Sequence, residues 1–216
     1  EFDRMRKRIS IHLNQRSEML SGISHDLRTP LTRLKLQLAL LKQQDLAKKM
    51  SDDIEEMERM LNEYLEFSRH QKNEETETVN INNLIADIIK KYDNAKINFS
   101  FEENQEINIR LNAIKRCLIN LIDNGLSYGK KVEILTKKTF SDFLIFVDDN
   151  GPGIPENEYK NVMKPFYRID KSRGQNKSGV GLGLSIANDI IRSHGGNIAF
   201  EKSPLSGLRV RISLPF

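Results

Sequence analysis

A histidine with an acid beside it and a hydroxyl four residues on gives this chain its clearest candidate chemistry. His25, Asp26 and Thr29 lie in the stretch SHDLRTPL, which covers residues 24–31. A helix repeats about every 3.6 residues, so His25 and Thr29 share one face. A carboxylate hydrogen-bonded to one ring nitrogen leaves the other nitrogen free as a nucleophile near neutral pH. The pattern therefore indicates a nucleophilic histidine, although a lone histidine at helical spacing is more often structural.

A second set of polar residues recurs on one face of a predicted helix. Asn120, Asn124 and Tyr128 lie at positions i, i+4 and i+8 of the helical run 112–128. Amide oxygens are suitable ligands for Mg2+ together with its phosphates, and an aromatic ring can stack on a nucleotide base. Taken alone the pattern is weak, because asparagines on a helix face usually contact only water.

An acidic, glycine-rich turn follows directly after a predicted strand. The strand is 143–147, and the turn DNGPGI contains Asp149, Gly151 and Gly153. A carboxylate at this place can accept a hydrogen bond from an exocyclic amine such as N6 of adenine. The glycines allow a sharp turn and a close approach of the backbone to a ligand. An ordinary glycine-proline turn would explain the glycines, although not the neighbouring motifs.

A third motif, GVGLGL, opens another predicted helix. It contains Gly179, Gly181 and Gly183, with Leu182 and Leu184 on either side of the last glycine. Backbone N–H groups exposed by the glycines, together with the helix N-terminus, attract phosphate oxygens. The spacing excludes a Walker A loop, which needs Gly-Lys-Ser/Thr. It also excludes a Rossmann motif, since no strand–helix–strand unit follows with an acid about 20 residues on.

The elements that must position these groups fall into two regions, of which the first is helical. Residues 1–71 are predicted to form two long helices with a turn at 43–45. Their sustained heptads indicate a hairpin that buries a seam. Two helices alone bury too little apolar surface, so a second copy is expected to complete a four-helix bundle. The recurring positions are Leu20, Ile23, Leu27, Leu31, Leu34, Leu38 and Leu41 on the first helix and Met50, Ile54, Met57, Leu61, Tyr64 and Ser68 on the second.

The second region mixes helical and strand patterns. It follows the segment 73–79, which is polar and acidic without apolar periodicity and is predicted to be a linker. Mixed patterns of this kind indicate an α+β sandwich, with one sheet covered by helices. The predicted helices are 82–92, 112–128 and 181–193, and the predicted strands are 131–136, 143–147, 197–201 and 208–214.

The composition narrows the classes of protein. Of the 216 residues, 38% are hydrophobic and 30% are charged, and the mean hydropathy is -0.53, as in soluble proteins with a core. No run of about 18 apolar residues is present to span a membrane. The basic residues behind the net charge of +4 are dispersed, so no nucleic-acid partner is expected. The single Cys117 is expected to be a buried structural thiol.

These motifs together resemble those of a known family. The stretch SHDLRTPL resembles, residue for residue, the H-box of bacterial sensor histidine kinases. The asparagine motif and the two glycine motifs resemble the N, G1 and G2 boxes of the GHKL ATPase superfamily, which also includes Hsp90, gyrase B and MutL. The sequence KPFYR at 164–168 resembles the kinase F-box, and 169–178 resembles a lid over ATP. The run HDLRTPLTR, with AIKR before the N-box, is similar to the EnvZ-like group.

The resemblance implies a two-domain architecture. A dimeric helical-hairpin four-helix bundle, the DHp domain, would precede an α/β sandwich of the GHKL or Bergerat fold that binds ATP, the CA domain. The implied bounds are 1–10 for the end of a HAMP-like linker helix, 11–72 for DHp, 73–79 for the linker and 80–216 for CA. Because the chain begins in mid-pattern, we expect it to be the cytoplasmic portion of a sensor anchored in the bacterial inner membrane.

The resemblance also implies roles for individual residues. His25 would accept a phosphoryl group from ATP with Mg2+, Asp26 would act as general base, and an aspartate in a response-regulator receiver domain would then receive the group. Thr29 implies an additional phosphatase activity on the regulator, although such a threonine can simply bond to a backbone carbonyl. Asn124 would coordinate Mg2+. The other implied ATP contacts are Asn120, Tyr128, Asp149, Gly151, Gly153, Phe166, Arg168, Gly179, Gly181, Leu182, Gly183 and Leu184.

Two other classes of protein remain as alternatives. A GHKL chaperone or topoisomerase-like ATPase would use ATP to gate a clamp, but it would lack the heptad hairpin and the H-box. A scaffold would bind ATP without phosphotransfer. Its expected mark is the loss of Asn124, Asp149 or the G2 glycines, and all of these are present.

Two residues depart from the family's pattern in the N-box helix. Ser127 takes the place of a basic residue, which puts one phosphate contact in doubt. Gly125 takes the place of an alanine, and we expect it to loosen the helix by about 1 kcal/mol. Neither change removes a group that the chemistry needs.

Overall fold

The computed structural model of the chain describes residues 27, 29–38, 46–48, 50–55, 57–58, 61, 74–93, 96–169 and 181–216. The chain divides into two compact units, Glu1–Asn73 and Glu74–Phe216. The division falls at the start of the segment 73–79, which the sequence predicts to be a linker.

The described part of the first unit is helical. Residues 29–38 form α1, and the helical residues 46–48, 50–55 and 57–58 belong to α2. The ammonium of Lys35 on α1 lies 2.7 Å from the Glu58 carboxylate on α2, which brings the two helices side by side. Leu38 and Ile54, one on each helix, are buried. The pairing fits the predicted helical hairpin, whose turn at 43–45 lies outside the described residues.

Part of the predicted apolar seam is exposed in the single chain. Leu27, Leu34, Met50 and Met57 all belong to the heptad series, and each is between 42% and 52% exposed. Exposed apolar side chains at regular helical spacing favour a partner surface, because burying each one gains roughly 1.5–3 kcal/mol.

The second unit is built on a five-stranded mixed sheet. The strands of the unit are β1 Glu77–Asn80, β2 Ile97–Phe101, β3 Glu106–Ile109, β4 Val132–Lys138, β5 Asp142–Asp149, β6 Asn197–Lys202 and β7 Leu208–Pro215, and the helices are α3 Ile81–Ile89, α4 Leu111–Tyr128 and α5 Gly183–Ser193. The five-stranded sheet has the order β2-β4-β5-β7-β6. In it β2 pairs parallel with β4, and the remaining neighbours are antiparallel. A separate two-stranded sheet pairs β1 with β3.

Helices cover one face of this sheet and form the core with it. Alternate residues of the central strands, such as Ile145 on β5 and Ile212 on β7, are fully buried and lie opposite each other in register. They meet the apolar sides of α3, α4 and α5 in one cluster. α4 contributes Ile114, Cys117, Leu118, Leu121 and Ile122 to it. This is the α/β sandwich that the sequence predicts.

A residue outside α4 caps its N-terminus. Arg110 precedes the helix without a side-chain cap. The carboxylate of Glu74 instead accepts hydrogen bonds from the backbone N–H groups of Asn112 and Ala113, the latter at 3.1 Å. A carboxylate satisfies the free donors of a first turn and also interacts favourably with the helix dipole. The start of the second unit thereby fixes the helix that bears the N-box residues.

The predicted elements agree with the structure in most of the second unit, and the largest differences lie before α4. After α4, the helix predicted from residue 181 begins at Gly183, and a 3-10 helix at Glu156–Glu158 was not predicted. α3 ends at Ile89 rather than at residue 92, and β1, β2 and β3 are absent from the predictions. β1 overlaps residues 77–79 of the predicted linker.

Candidate nucleotide-binding site

The N-box residues lie on the side of α4 that is not packed into the core. Asn120 and Asn124 are half-buried, and Tyr128 at the helix end is exposed. The Nδ2 atom of Asn120 is fully buried and has no hydrogen-bond partner among the described residues. Leaving a buried polar atom without a hydrogen bond lowers the stability of the fold by about 1–3 kcal/mol. A bound polar group would offset that cost, so Asn120 marks a place suited to a ligand.

Asp149 is held rigidly at the end of β5. It is 7% exposed, and its Oδ1 accepts from the backbone N–H groups of Gly151 at 2.8 Å and Leu208 at 3.1 Å. Burial raises the pKa of the carboxyl group, the two backbone donors lower it, and Asp148 raises it again, so that the net direction is upward. Both hydrogen bonds use Oδ1, which leaves Oδ2 to accept from an amine.

Gly125 brings α4 against the start of β4 and the end of β5. A Cβ at this position would lie 2.8 Å from Cγ2 of Val132 and 3.4 Å from Cβ of Asp149. An alanine at position 125 would therefore push α4 away from β4 and β5. The departure from the family's alanine has a packing reason in addition to the expected loosening of the helix.

The G2 and F-box segments are joined to each other. Gly181 has a φ of 81°, a left-handed conformation that favours glycine. Its carbonyl accepts from the backbone N–H of Phe166 at 3.0 Å. A Cβ on Gly181 would lie 2.9 Å from the carbonyl oxygen of Tyr167. The glycine thus allows the F-box residues to lie directly against the phosphate-binding motif.

The N-terminus of α5 lies beside the N-box. Gly183 begins the helix, and a Cβ on it would lie 3.9 Å from Cβ of Asn120. Leu182 at the N-cap makes no side-chain capping bond, and the first turn carries no acidic residue. The backbone N–H groups at such an end attract anions. The structure therefore brings Asn120 beside Gly183 at the start of α5, and Gly181 lies two residues before Gly183 along the chain.

A tyrosine of the F-box is anchored by an acid that the sequence analysis did not single out. Tyr167 donates from its hydroxyl to Glu158 Oε2 at 2.6 Å. This bond lowers the pKa of Glu158 and raises that of Tyr167. Phe166, which follows Pro165, has a φ of 63° and is 56% exposed. No sequence signal linked Glu158 to the F-box, because the contact joins the end of the 3-10 helix Glu156–Glu158 to a residue nine positions further along the chain.

Several predicted site residues are outside the described residues or belong to the first unit. His25, Asp26 and Gly179 lie outside the described residues, as do 170–178 of the predicted lid. Thr29 lies in α1 of the first unit. Within the described ranges, no three His, Cys, Asp or Glu side chains form a metal-binding group. In the same part of the chain, no helix has the length and apolarity to cross a membrane.

Two domain families match the chain. Residues 15–73 match the His Kinase A (phospho-acceptor) domain, and residues 109–216 match the family described as histidine kinase-, DNA gyrase B-, and HSP90-like ATPase. The first match contains the H-box and α1, and the second contains every predicted ATP contact. The predicted fold class is thereby confirmed.

Curated relatives match along almost the whole chain. The sensor histidine kinase GtrS of Pseudomonas aeruginosa is 35% identical over 216 residues, which are 99% of this chain and 45% of that protein. The sensor histidine kinase CpxA of Escherichia coli is 34% identical over 235 residues, covering 99% of this chain and 50% of CpxA. The chain therefore spans about half the length of the curated relatives it matches.

The architecture also recurs in a solved structure. Full-length ShkA in complex with AMPPNP superposes with a TM-score of 0.72 at 19% identity, covering 93% of this chain and 46% of ShkA. At this identity the likeness shows the fold. Taken with the two domain matches and the curated relatives, it leads to one conclusion: the chain belongs to the two-component sensor histidine kinases.

Proposed function

We propose that the protein is an ATP-dependent histidine kinase that phosphorylates His25 and passes the phosphoryl group to an aspartate of a response-regulator receiver domain. The observation that carries the proposal is the meeting of Asn120 with the uncapped N-terminus of α5. Asn120 has a buried Nδ2 without a partner among the described residues, and Gly183 lies against it. This arrangement is suited to a polyphosphate.

The adenine end of ATP would lie against β5 and the end of α4. Asp149 Oδ2 would accept a hydrogen bond from N6, while Gly151 and Gly153 let the backbone approach the ligand. The ring of Tyr128, 41% exposed at the end of α4, would contact the base. Because Asp149 Oδ1 is already occupied by two backbone donors, the carboxylate would need no rearrangement on binding.

The phosphate end would lie at α5 and the F-box. The N–H groups of the first turn of α5, which begins at Gly183, would bind phosphate oxygens. Phe166 and Arg168 would close the site from the F-box side, next to Gly181. The remaining G2 residues proposed to contact the phosphates are Gly179, Leu182 and Leu184.

A magnesium ion fits the donor set of α4. The amide oxygen of Asn124 is a hard ligand of the kind Mg2+ takes together with substrate phosphates. Asn120, one turn earlier, would hold a water or a phosphate oxygen through its Nδ2, which has no partner among the described residues. When bound, the ion neutralises the charge that develops on the transferring phosphoryl group.

Phosphoryl transfer would take place at the ring nitrogen of His25 that faces away from Asp26. As this nitrogen forms a bond to the γ-phosphorus, the bond from phosphorus to the bridging oxygen breaks and ADP leaves. Asp26 holds the ring and accepts the proton from its other nitrogen. The resulting phosphohistidine is reactive enough to pass its group to an aspartate.

The assembly would be a homodimer attached to a membrane. The exposed heptad residues Leu27, Leu34, Met50 and Met57 support a four-helix bundle made with a second copy. Kinship with sensor kinases such as CpxA supports a cytoplasmic position in a protein anchored in the bacterial inner membrane. Thr29, in α1, would hold a water in line with the regulator's phosphoaspartate and so give phosphatase activity.

The test is incubation with γ-labelled ATP and Mg2+. We expect acid-labile, alkali-stable label on the parent chain and none on His25→Gln. His70→Gln is the matched control and should keep the label. If the parent binds ATP but takes up no label, the proposal fails in favour of a scaffold that binds ATP without phosphotransfer.

A further inference from the structure

We propose that Asn150 is a positioning residue for the adenine subsite, an inference that rests on the ATP site proposed above. Asn150 Oδ1 accepts from the backbone N–H groups of Lys130 at 2.7 Å and Lys131 at 2.9 Å. The backbone N–H of Asn150 donates in return to the carbonyl of Lys131 at 3.3 Å. Three hydrogen bonds thus tie the segment after α4 to the turn after β5.

The two segments are packed as closely as backbones allow. A Cβ on Gly129 would lie 2.8 Å from Asn150 Oδ1 and 3.1 Å from the nitrogen of Gly151. A Cβ on Gly151 would lie 3.0 Å from the carbonyl oxygen of Tyr128. Gly129 has extended backbone, so the close approach rather than a strained conformation requires glycine there. Glycine therefore stands at position 129, where a larger residue would collide with the Asn150 side chain.

The side chain of Asn150 is the acceptor for the N–H groups that follow the end of α4. α4 ends with the N–H of Gly129 donating to the carbonyl of Gly125 at 2.7 Å. The next two N–H groups, on Lys130 and Lys131, both use Asn150 Oδ1 as their acceptor. A single acceptor for two successive donors fixes the direction in which the chain leaves the helix.

This position matters because the joined segments carry the two adenine contacts. Tyr128 is the last residue of α4, and Asp149 directly precedes Asn150. The phosphate contacts, by contrast, come from Gly181, from α5 and from Asn120, which lies two turns before the end of α4. Loss of the Asn150 bonds should therefore weaken recognition of the base and leave the phosphate end unchanged.

The test compares Asn150→Leu with Asn150→Asp in the full chain, measuring affinity for ATP, GTP and tripolyphosphate and the kinetics of autophosphorylation. Leucine has similar volume and no acceptor, whereas aspartate keeps Oδ1. We expect Asn150→Leu to weaken ATP binding about tenfold, since two hydrogen bonds are lost. Asn150→Asp should stay within about threefold of the parent. The KM for ATP should rise while kcat is kept, and the preference for ATP over GTP should shrink.

A matched control separates positioning from a general loss of stability. Asn98 lies exposed on the edge strand β2, where its amide donates to Glu133 at 3.4 Å, and Asn98→Leu should leave all affinities unchanged. Equal ATP affinity in Asn150→Leu and the parent would overturn the proposal. So would an equal loss of ATP and tripolyphosphate binding, or a fall in kcat at constant KM.

If Asn150→Leu does not fold, hydrogen exchange measured on the parent chain still tests the proposal. The amide hydrogens of Lys130 and Lys131 should exchange slowly in the parent, because both are hydrogen-bonded, and fast exchange of both would overturn the proposal. A parent that binds no ATP at all would instead contradict the ATP site itself.

Discussion

Asp149 at the end of β5 and Leu208 at the start of β7 are joined by a hydrogen bond of 3.1 Å from the Leu208 N–H to Asp149 Oδ1. The residues lie 59 positions apart in the sequence. Gly207 makes the contact possible, because a Cβ on it would collide with the Asp149 carboxylate and would lie 2.6 Å from the nitrogen of Gly151. The orientation of the proposed adenine-reading carboxylate is therefore set by the beginning of a distant strand.

Replacing Gly207 with alanine should displace this carboxylate. We expect ATP affinity to fall at least about tenfold and the free energy of unfolding to fall by roughly 1–3 kcal/mol, the usual cost of overpacking. Equilibrium binding of ATP measures the first effect and urea unfolding the second. Ser206→Ala, an exposed position on the same turn, is the control and should change neither. An unchanged ATP affinity in Gly207→Ala would show that the Asp149 orientation does not matter.

Replacing Asp149 with asparagine should change the preference for the base. Oδ1 can still accept from Gly151 and Leu208, but an NH2 group then stands where Oδ2 accepted. ATP affinity should fall at least about tenfold, since the donor N6 would face another donor. GTP, whose O6 is an acceptor, should lose much less. Competition between the two nucleotides measures the ratio, and a parallel loss for both would contradict the assignment of Asp149 to the base.

The sequence indicates this candidate site because its residues come in short motifs on strongly periodic elements. α4 and β5 have regular apolar patterns, so Asn120, Asn124 and Asp149 could be assigned to their faces and ends. The missed strands β1, β2 and β3 have only four or five residues each. Their strand form depends on pairing across the chain, as when Thr78 on β1 donates to Asn108 on β3 at 2.8 Å. Such pairing outweighs local propensity.

The contacts that orient the site residues could not be predicted from the sequence either, because they also depend on how separate segments of the chain come together. Asn150 stands in the DNGPGI motif, but nothing local shows that its amide binds Lys130 and Lys131. Leu208 and Glu158 carry no motif, and their bonds to Asp149 and Tyr167 appear only once the fold brings them together.

Removing the Glu74 carboxylate should destabilise α4. Glu74→Ala deletes the acceptor for Asn112 and Ala113, and we expect a loss of about 0.5–2 kcal/mol in the free energy of unfolding, as for other N-caps. Urea unfolding measures this loss. The transition that belongs to the second unit is identified as the one that ATP shifts to a higher urea concentration. Glu75→Ala changes the exposed neighbour and should be neutral. Equal stability of the two variants would mean that the cap contributes nothing.

His194 should make the second unit less stable in mild acid. Its Nε2 accepts from the Arg110 backbone N–H at 3.1 Å, and its Nδ1 lies 2.7 Å from the Ile190 carbonyl, so the neutral ring with its proton on Nδ1 satisfies both contacts. Burial lowers the pKa of His194 below 6.5; the Ile190 carbonyl opposes this, Arg110 lowers it further and Glu74 raises it.

The sign of the pH effect follows from the lowered pKa. The pKa of a histidine in an unfolded chain is about 6.5. Below this pH, His194 binds a proton in the unfolded state but stays neutral in the folded state. The contribution of the neutral His194 ring to the free energy of unfolding is therefore complete above that pH, and it is lost as the pH falls toward the pKa of His194 in the folded state. Urea unfolding at a series of pH values between about 7.5 and 5 should show a decline that is smaller in His194→Gln, which cannot titrate. His70→Gln should keep the decline of the parent, and an equal decline in His194→Gln would assign the acid sensitivity to other groups.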